Sequence, residues 1–401
     1  MSELSKSEID YRKTLARELL SLRRTPMDDV NYVDFESPTP MMKTAALKKK
    51  LGIPFPDNLG PVPQKLDTKP ALEDPLPKVD IVVVTWTVDE NDGLADVLTP
   101  GFGRDAWYRY AHLYEQNYAT QIRRGAPAYN AKRLGSYFIT KIGDKKVLCF
   151  KSELHLNQDG IRNINGTGQT SLPVRQLFKQ IIEETKCTHI ITTGTCGGIK
   201  LEHDLGDVLI TRGAKFRCQS EFENAPYNHK LYKSDWEVPT THFADAEKLM
   251  ASFTDRLLDP VFGPPTKRHE GSNWTLTKAW KPNIIHEKGT GQKKLPAFHP
   301  ILTTDYFEFG NSKNATELWA EGCGVEMGDA VLGLVCTEDI THPPKWLVVR
   351  NLSDPQINGD MPDASGPLDM RIHWAVWYYD SYGYWTSVMS ALATWSVIAG
   401  L

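Results

Sequence analysis

The sequence predicts an α/β fold built on a mainly parallel sheet. Short apolar, β-branched runs recur at Ile81-Val82-Val83-Val84, His189-Ile190-Ile191-Thr192 and Trp346-Leu347-Val348-Val349. Such runs suit strands covered on both faces. Helical patterns stand between them, the alternation that a parallel sheet requires. The chain has 401 residues, 40% apolar and 24% charged, which is enough to bury a sizeable core.

Taken in order, Ser5 to Arg24 reads as an amphipathic helix, with Ile9, Leu15, Leu19, Leu20 and Leu22 set among charges. From Thr25 to Lys78 prolines are too dense for long helices. Residues 1–78 are therefore expected to form an extension that wraps the domain or a partner, with a disordered linker as the alternative. The regular domain spans 79–401. Residues 100–135, rich in aromatics and arginine, read as an insertion. Tyr137 to Thr140 and Lys146 to Phe150 flank Gly143-Asp144 as a hairpin. Leu172 to Lys186 is a helix with Leu177, Phe178, Ile181 and Ile182 inward. Asp207 to Ile210 is a strand, 217–297 a polar second insertion suited to a lid, Val325 to Cys336 a helix, and Trp374 onward the last helix.

Composition excludes several classes. A net charge of -4 gives no basic footprint for nucleic acid. Six scattered cysteines contain no CxxC pair, so reduced thiols in a cytoplasmic protein are expected, with no metal and no cofactor. The polar start of the chain lacks the apolar core of a signal peptide. Ser381 to Leu401 carries no charge, but its many hydroxyls favour a buried or interface helix over a membrane span.

Four places carry chemistry. Gly194-Thr195-Cys196-Gly197-Gly198 follows a strand as a glycine-rich turn that lets backbone amides approach a ligand. Arg350-Asn351-Leu352-Ser353-Asp354 follows another strand, where α/β ligands bind; Asp354 could donate a proton there, or serve as a turn residue. Glu326 and Asp329 open a helix and could accept from sugar hydroxyls, or simply favour the helix dipole. Asp89-Glu90, beyond the first strand, could activate water or be a solvated loop pair.

The order of these pieces is similar to that of the nucleoside phosphorylase and nucleosidase superfamily. The segments are IVVVTWTVDE (81–90), IITTGTCGGI (190–199), LGDVLIT (205–211), TTDYFEFGN (303–311), GVEMGDAVLGLVC (324–336) and WLVVRNLSD (346–354). The resemblance implies a three-layer αβα fold around a central mixed sheet, with the extension and insertions added. It implies that Asp354 protonates the purine N7 and that Ser353 orients it. It places Phe307 against the base, Met327 under the ribose, Glu326 near the sugar hydroxyls, and Thr195 with Gly194 near the water or phosphate. The family's glutamate after Met is here Gly328, leaving Asp329 or Glu326 to substitute. The usual glycine turn before the central helix is here Ser152-Glu153-Leu154-His155.

The resemblance implies cleavage of the N-glycosidic bond of a purine nucleoside or nucleotide through an oxocarbenium-like transition state. Hydrolysis is favoured. Thr192 stands where the hexameric phosphorylases carry an arginine, and Glu90 with Arg350 matches the hydrolase pair that holds water. The alternatives are a phosphorylase drawing on Arg104, Arg123 or Arg124, and a binding protein that kept the fold without turnover. Related proteins are dimers or hexamers, so a homo-oligomer is expected. The aromatic run Trp374, Trp377, Tyr378, Tyr379, Tyr382, Tyr384 and Trp385 suits an interface or a core helix equally. His155, His242 and His299 are expected to be structural.

Overall fold

A computed structural model describes residues 5–21, 51–156, 160–162, 166, 168–257, 280–291, 293–308, 318–355 and 370–401. Residues 22–50, which hold the first prolines, lie outside the described residues. So do 258–279 in the second polar insertion and 309–311 of the TTDYFEFGN segment.

The first helix, α1 (Lys6–Ser21), is followed by the edge strand β1 (Val62–Gln64). Then come β2 (Ile81–Thr85), α2 (Val88–Leu98), β3 (Tyr108–Tyr110), α3 (Pro127–Ala131), β4 (Gly135–Ile142), β5 (Lys145–Ser152) and α4 (Pro173–Thr185). The middle of the chain forms β6 (His189–Gly198), β7 (Val208–Thr211), β8 (Gly213–Phe216), β9 (Leu231–Lys233), α5 (Phe243–Ala251) and β10 (Ile284–Ile285). The last part forms β11 (Ile301–Thr303), β12 (Gly324–Glu326), α6 (Asp329–Glu338), β13 (Lys345–Asp354) and α7 (Met370–Ala399).

All these strands join one mixed sheet, ordered β1-β4-β5-β2-β6-β12-β11-β8-β9 along its main path, with β13 bridging β6 and β7. β2 is parallel to β5 and β6, and β6 is parallel to β13. The β4–β5 hairpin is antiparallel, as its Gly143-Asp144 turn predicts.

The alternation within each strand sorts the core into two layers. Val82, Val84, Ile190, Trp346 and Val348 face one cluster with α4 and α6. Ile81, Val83, Ile191, Leu347 and Val349 face the other with α2, α5 and α7. The result is an αβα sandwich, and each fully buried aliphatic side chain contributes about 1.5–3 kcal/mol. The C-terminal helix explains its own composition. From Ser381 to Ile398 nearly every side chain is buried, so the charge-free stretch is an interior helix. No helix among the described residues is long and apolar enough to cross a membrane. Tyr378, Tyr382 and Tyr384 pack within this same core.

Several sequence expectations need correction. Asp89 and Glu90 are not in a solvated loop but in the buried first turn of α2. The GTCGG segment is not a turn, because β6 continues through Gly198. Likewise RNLSD belongs to β13 rather than following it. The expected helix 325–336 is a strand ending at Glu326 and a helix starting at Asp329. The aromatic segment 100–135 contributes β3 and the buried Tyr110, Tyr114 and Tyr118, and β1 brings part of residues 1–78 into the sheet.

The contact between α2 and α7 gives a prediction in which two effects oppose. Alanine favours a helix over glycine by about 1 kcal/mol. A Cβ on Gly93, however, would stand 2.9 Å from Ser387 Cβ and 3.0 Å from the Ser387 carbonyl carbon. Overpacking costs about 1–3 kcal/mol and should win. Gly93→Ala is expected to lower the urea midpoint; a raised midpoint would mean that α2 and α7 do not pack this closely.

Candidate active site

The site forms where a strand edge changes partner. Along one edge of β6, β2 pairs with residues 189–192, and β12 takes over at Gly197 and Gly198. Among the described residues no strand covers 193–196 on that edge, while β13 continues along the other. The opening lies just past the C-terminal end of β2, where open α/β sheets receive ligands.

Glu90 fills this opening. Thr87 caps α2 and Glu90 closes the reciprocal capping box. One carboxylate oxygen accepts from the Thr85 hydroxyl (3.1 Å) and the amides of Trp86 (3.0 Å) and Thr87 (2.8 Å). The other accepts from the amide and hydroxyl of Thr195 at 2.8 and 2.9 Å, taking the place of a neighbouring strand. Gly194 has φ +155°, and a Cβ there would stand 2.4 Å from a Glu90 oxygen and 2.7 Å from Arg350 Nη1. The chain passes this point only as glycine. Burial alone would raise the Glu90 pKa, but the Arg350 charge and the backbone N–H groups of Thr87, Thr195 and Trp86 hold it below the usual carboxylate range.

Arg350 projects from β13 into a ring of acids. It is 3% exposed and forms a two-pronged pair with Asp329: Nε to one oxygen at 2.8 Å, Nη2 to the other at 2.6 Å. Glu90 lies 3.6 Å from its remaining nitrogen, Nη1, and Glu326 lies 3.5 Å from Nη2, which Asp329 already holds. Its guanidinium also stands 4.8 Å from the Trp86 ring centroid. The three carboxylates differ in role. Asp329 is fully occupied by Arg350. Glu326 accepts the Asp329 amide with both oxygens at 3.0 Å and pairs with the Thr303 hydroxyl. Burial, then the nearby Asp329 charge, push Glu326 up to about 8, so it holds a proton at neutral pH.

The opposite wall is built by Asp354 and the segment around Phe307. A register shift between Leu352 and Asp354 marks a bulge at the end of β13, a device that re-aims a side chain. Ser353 Oγ donates to Asp354 at 2.9 Å. The second Asp354 oxygen and the Glu308 carbonyl lie 3.2 and 3.3 Å from the point where a Cβ on Gly197 would sit. Asp354 and the Phe307–Glu308 segment therefore meet over Gly197. Phe307 and Met327 are half-buried. The structure thus gathers Glu90, Gly194, Thr195, Arg350, Glu326 and Asp329 at one side of the opening, and Ser353, Asp354 and Phe307 at its end. Thr192 is buried, with its hydroxyl 3.5 Å from the Leu347 carbonyl, and Arg104 pairs with Asp92 at 3.3 Å.

Three features escaped the sequence reading. Trp86 packs between Arg350 and Gly328. His155, expected only as a structural residue, is buried in the segment that replaces the glycine turn, and burial and the Lys151 charge push its pKa down to about 4 against the Glu153 and Glu90 charges. Helix α1 reaches the Phe307–Glu308 segment, where Arg12 pairs with Glu308 at 3.1 Å, and Lys13 pairs with Glu221 at 2.6 Å. Only contacts far apart in sequence reveal these.

A sequence profile of the phosphorylase superfamily matches residues 77–278, half of the chain. The chain belongs to the phosphorylase superfamily. Members of the superfamily are nucleosidases or phosphorylases, enzymes that cleave N-glycosidic bonds. No curated protein sequence matches the chain. Among solved structures, it is similar to futalosine hydrolase of Helicobacter pylori (12% identity, TM-score 0.42, covering 80% of this chain and 98% of that one). It is also similar to the 5'-methylthioadenosine/S-adenosylhomocysteine nucleosidase of Neisseria meningitidis (14%, 0.42, 80% and 100%) and to the S-adenosylhomocysteine nucleosidase of Streptococcus pyogenes (13%, 0.43, 81% and 98%).

The state of Glu326 in this superfamily member is testable. Its raised pKa means that the folded state binds a proton that the unfolded chain releases near its ordinary value of 4.5. The stability it contributes is complete below that value and is lost as pH rises through about 8. Glu326→Gln should therefore gain stability relative to the parent as pH rises from 4.5 to about 8 and stay level above that, measured by urea unfolding at each pH. A difference that is flat with pH would mean that Glu326 titrates normally.

Proposed function

We propose that this superfamily member is a purine N-ribosyl hydrolase acting on a nucleoside or nucleotide. The observation that carries the reading is the acid ring at the strand opening. The carboxylates of Glu90 and Asp329 outnumber the single guanidinium of Arg350, and the protonated Glu326 closes the ring without adding positive charge. That environment repels an anionic nucleophile such as phosphate and accepts neutral water.

In the reaction, the base stacks on Phe307 and Asp354 delivers a proton to N7. The C1'–N9 bond breaks and its electron pair leaves with the base. The cationic sugar rests near Met327, and Glu90 contributes negative charge nearby. Water bound near Glu90, Thr195 and Arg350 adds to C1' and loses a proton. Glu90 is too weakly basic to deprotonate free water. The water adding to an oxocarbenium ion, however, is a strong acid, which even a low-pKa carboxylate can accept from. Atoms balance as nucleoside plus water giving free sugar and free base.

The test is a panel of adenosine, inosine, guanosine, methylthioadenosine and AMP, with and without phosphate, with products separated by chromatography. Free base without phosphate is expected. Asp354→Asn should lower kcat by roughly 10²–10⁴. Strict phosphate dependence would make the chain a phosphorylase instead, and full activity in the Asp354 variant would remove the assigned acid. Base binding without turnover would indicate a binding protein.

A further inference from the structure

Helix α1 belongs to the N-terminal extension, ahead of residue 77, where the superfamily match begins. The reaction proposed above makes no use of it. Yet α1 buries charge against the place where Asp354 and the Phe307–Glu308 segment meet. Arg12 is 2% exposed and holds two carboxylates, Glu8 through Nε at 2.8 Å and Glu308 through Nη1 at 3.1 Å. Lys13, next in the chain and equally buried, pairs with Glu221 at 2.6 Å. Consecutive residues of a helix point about 100° apart, so one turn of α1 clasps two segments at once.

Those two segments are also joined to each other. Asp305 accepts the amides of Gln219 and Phe222 at 2.9 Å, which ties the loop that carries Glu221 to the segment that carries Glu308. Phe307 therefore sits between two anchors. On one side the Thr304 hydroxyl donates to the Tyr306 carbonyl at 2.8 Å, and Arg217 Nη1 donates to the Tyr306 hydroxyl at 3.2 Å. On the other side Arg12 holds Glu308, whose side chain is wholly buried. The Glu308 carbonyl faces Gly197 beside Asp354. A buried ion pair adds little net stability over apolar packing, and is better suited to fixing one arrangement.

We infer that Arg12 is a positioning residue for the base: by holding Glu308, α1 sets Phe307 at the place where the base stacks. Asp354 comes from β13 and takes its hydrogen bond from Ser353, so α1 governs base binding and leaves proton transfer alone. This rests on the nucleoside reading above, and the test includes a measurement that needs no substrate, so that the two fail separately.

Hydrogen exchange by mass spectrometry on the full chain compares the parent with Arg12→Gln and Arg12→Lys. Arg12→Gln should speed exchange at 305–308 about tenfold and leave β2 and β6 unchanged, while Arg12→Lys, which keeps the charge, stays within about threefold of the parent. With a substrate from the panel above, Arg12→Gln should raise KM about tenfold and keep kcat within about threefold, and Arg12→Lys should restore most of the loss. If Arg12→Gln also loosens β2 and β6, Arg12→Gln with Glu308→Gln, which leaves neither charge of the pair, takes its place with the same expectations. Unchanged exchange at 305–308 overturns the inference, as does a fall in kcat with KM unchanged, or a KM that does not move. If no panel member is cleaved, calorimetry with adenine and guanine replaces KM. A base bound about tenfold more weakly by Arg12→Gln then upholds the inference and removes only the hydrolase reading. A parent that binds neither base overturns both.

Discussion

Everything at the opening in the β6 edge depends on one buried cation. Arg350 is the shared counter-ion of Glu90 on α2 and Asp329 at the start of α6, and it lies 3.5 Å from the protonated Glu326 at the end of β12. These elements lie far apart in the chain and reach the same point only because β13 runs beside β6. Burying an unpaired charge costs several kcal/mol, so Arg350, Glu90 and Asp329 depend on one another. The same pairing fixes the chemistry, because it orders the carboxylates by role. Asp329 holds the arginine, Glu90 is kept ionised by five donors, and Glu326 is left with the proton.

The gap in the strand edge makes this arrangement possible. Had β2 continued past Thr85, the Thr195 amide would pair with backbone and Glu90 would have no place. Instead the chain turns into α2, and a side chain completes the hydrogen bonding of β6. A carboxylate is thereby fixed to the sheet more firmly than any loop could hold it. Gly194 is the steric condition, since a Cβ would displace both Glu90 and Arg350.

Much of this was legible in the sequence, and the limits have physical causes. The β-branched runs at Ile81 and His189 announced the central strands, because strands buried on both faces are apolar throughout. The boundaries failed where polar residues are buried in regular structure. Arg350 to Asp354 and Gly194 to Gly198 looked like loop chemistry because strands seldom carry charges or paired glycines, yet both continue strands. Helix α2 was missed because Asp89, Glu90, Asn91 and Asp92 resemble a solvated turn, and only tertiary pairing makes burial of the acids tolerable. Of the residues named through family order, Glu90, Thr195, Glu326, Asp329 and Arg350 gather at the opening in the strand edge. Trp86, against Arg350, and Arg12, paired with Glu308, carry no local pattern and emerge only from the fold.

The dependence of the site on Arg350 is measured most directly by urea unfolding of Arg350→Met and of Arg350→Met with Asp329→Leu. A charged group stripped of its buried partner should cost about 3–5 kcal/mol. The single variant is expected to lose that much, and the double variant to recover a clear part of it, because the abandoned carboxylate is removed as well. A single variant that unfolds within about 1 kcal/mol of the parent, or a double variant no more stable than the single, would contradict the claim that this buried ion cluster holds the site together.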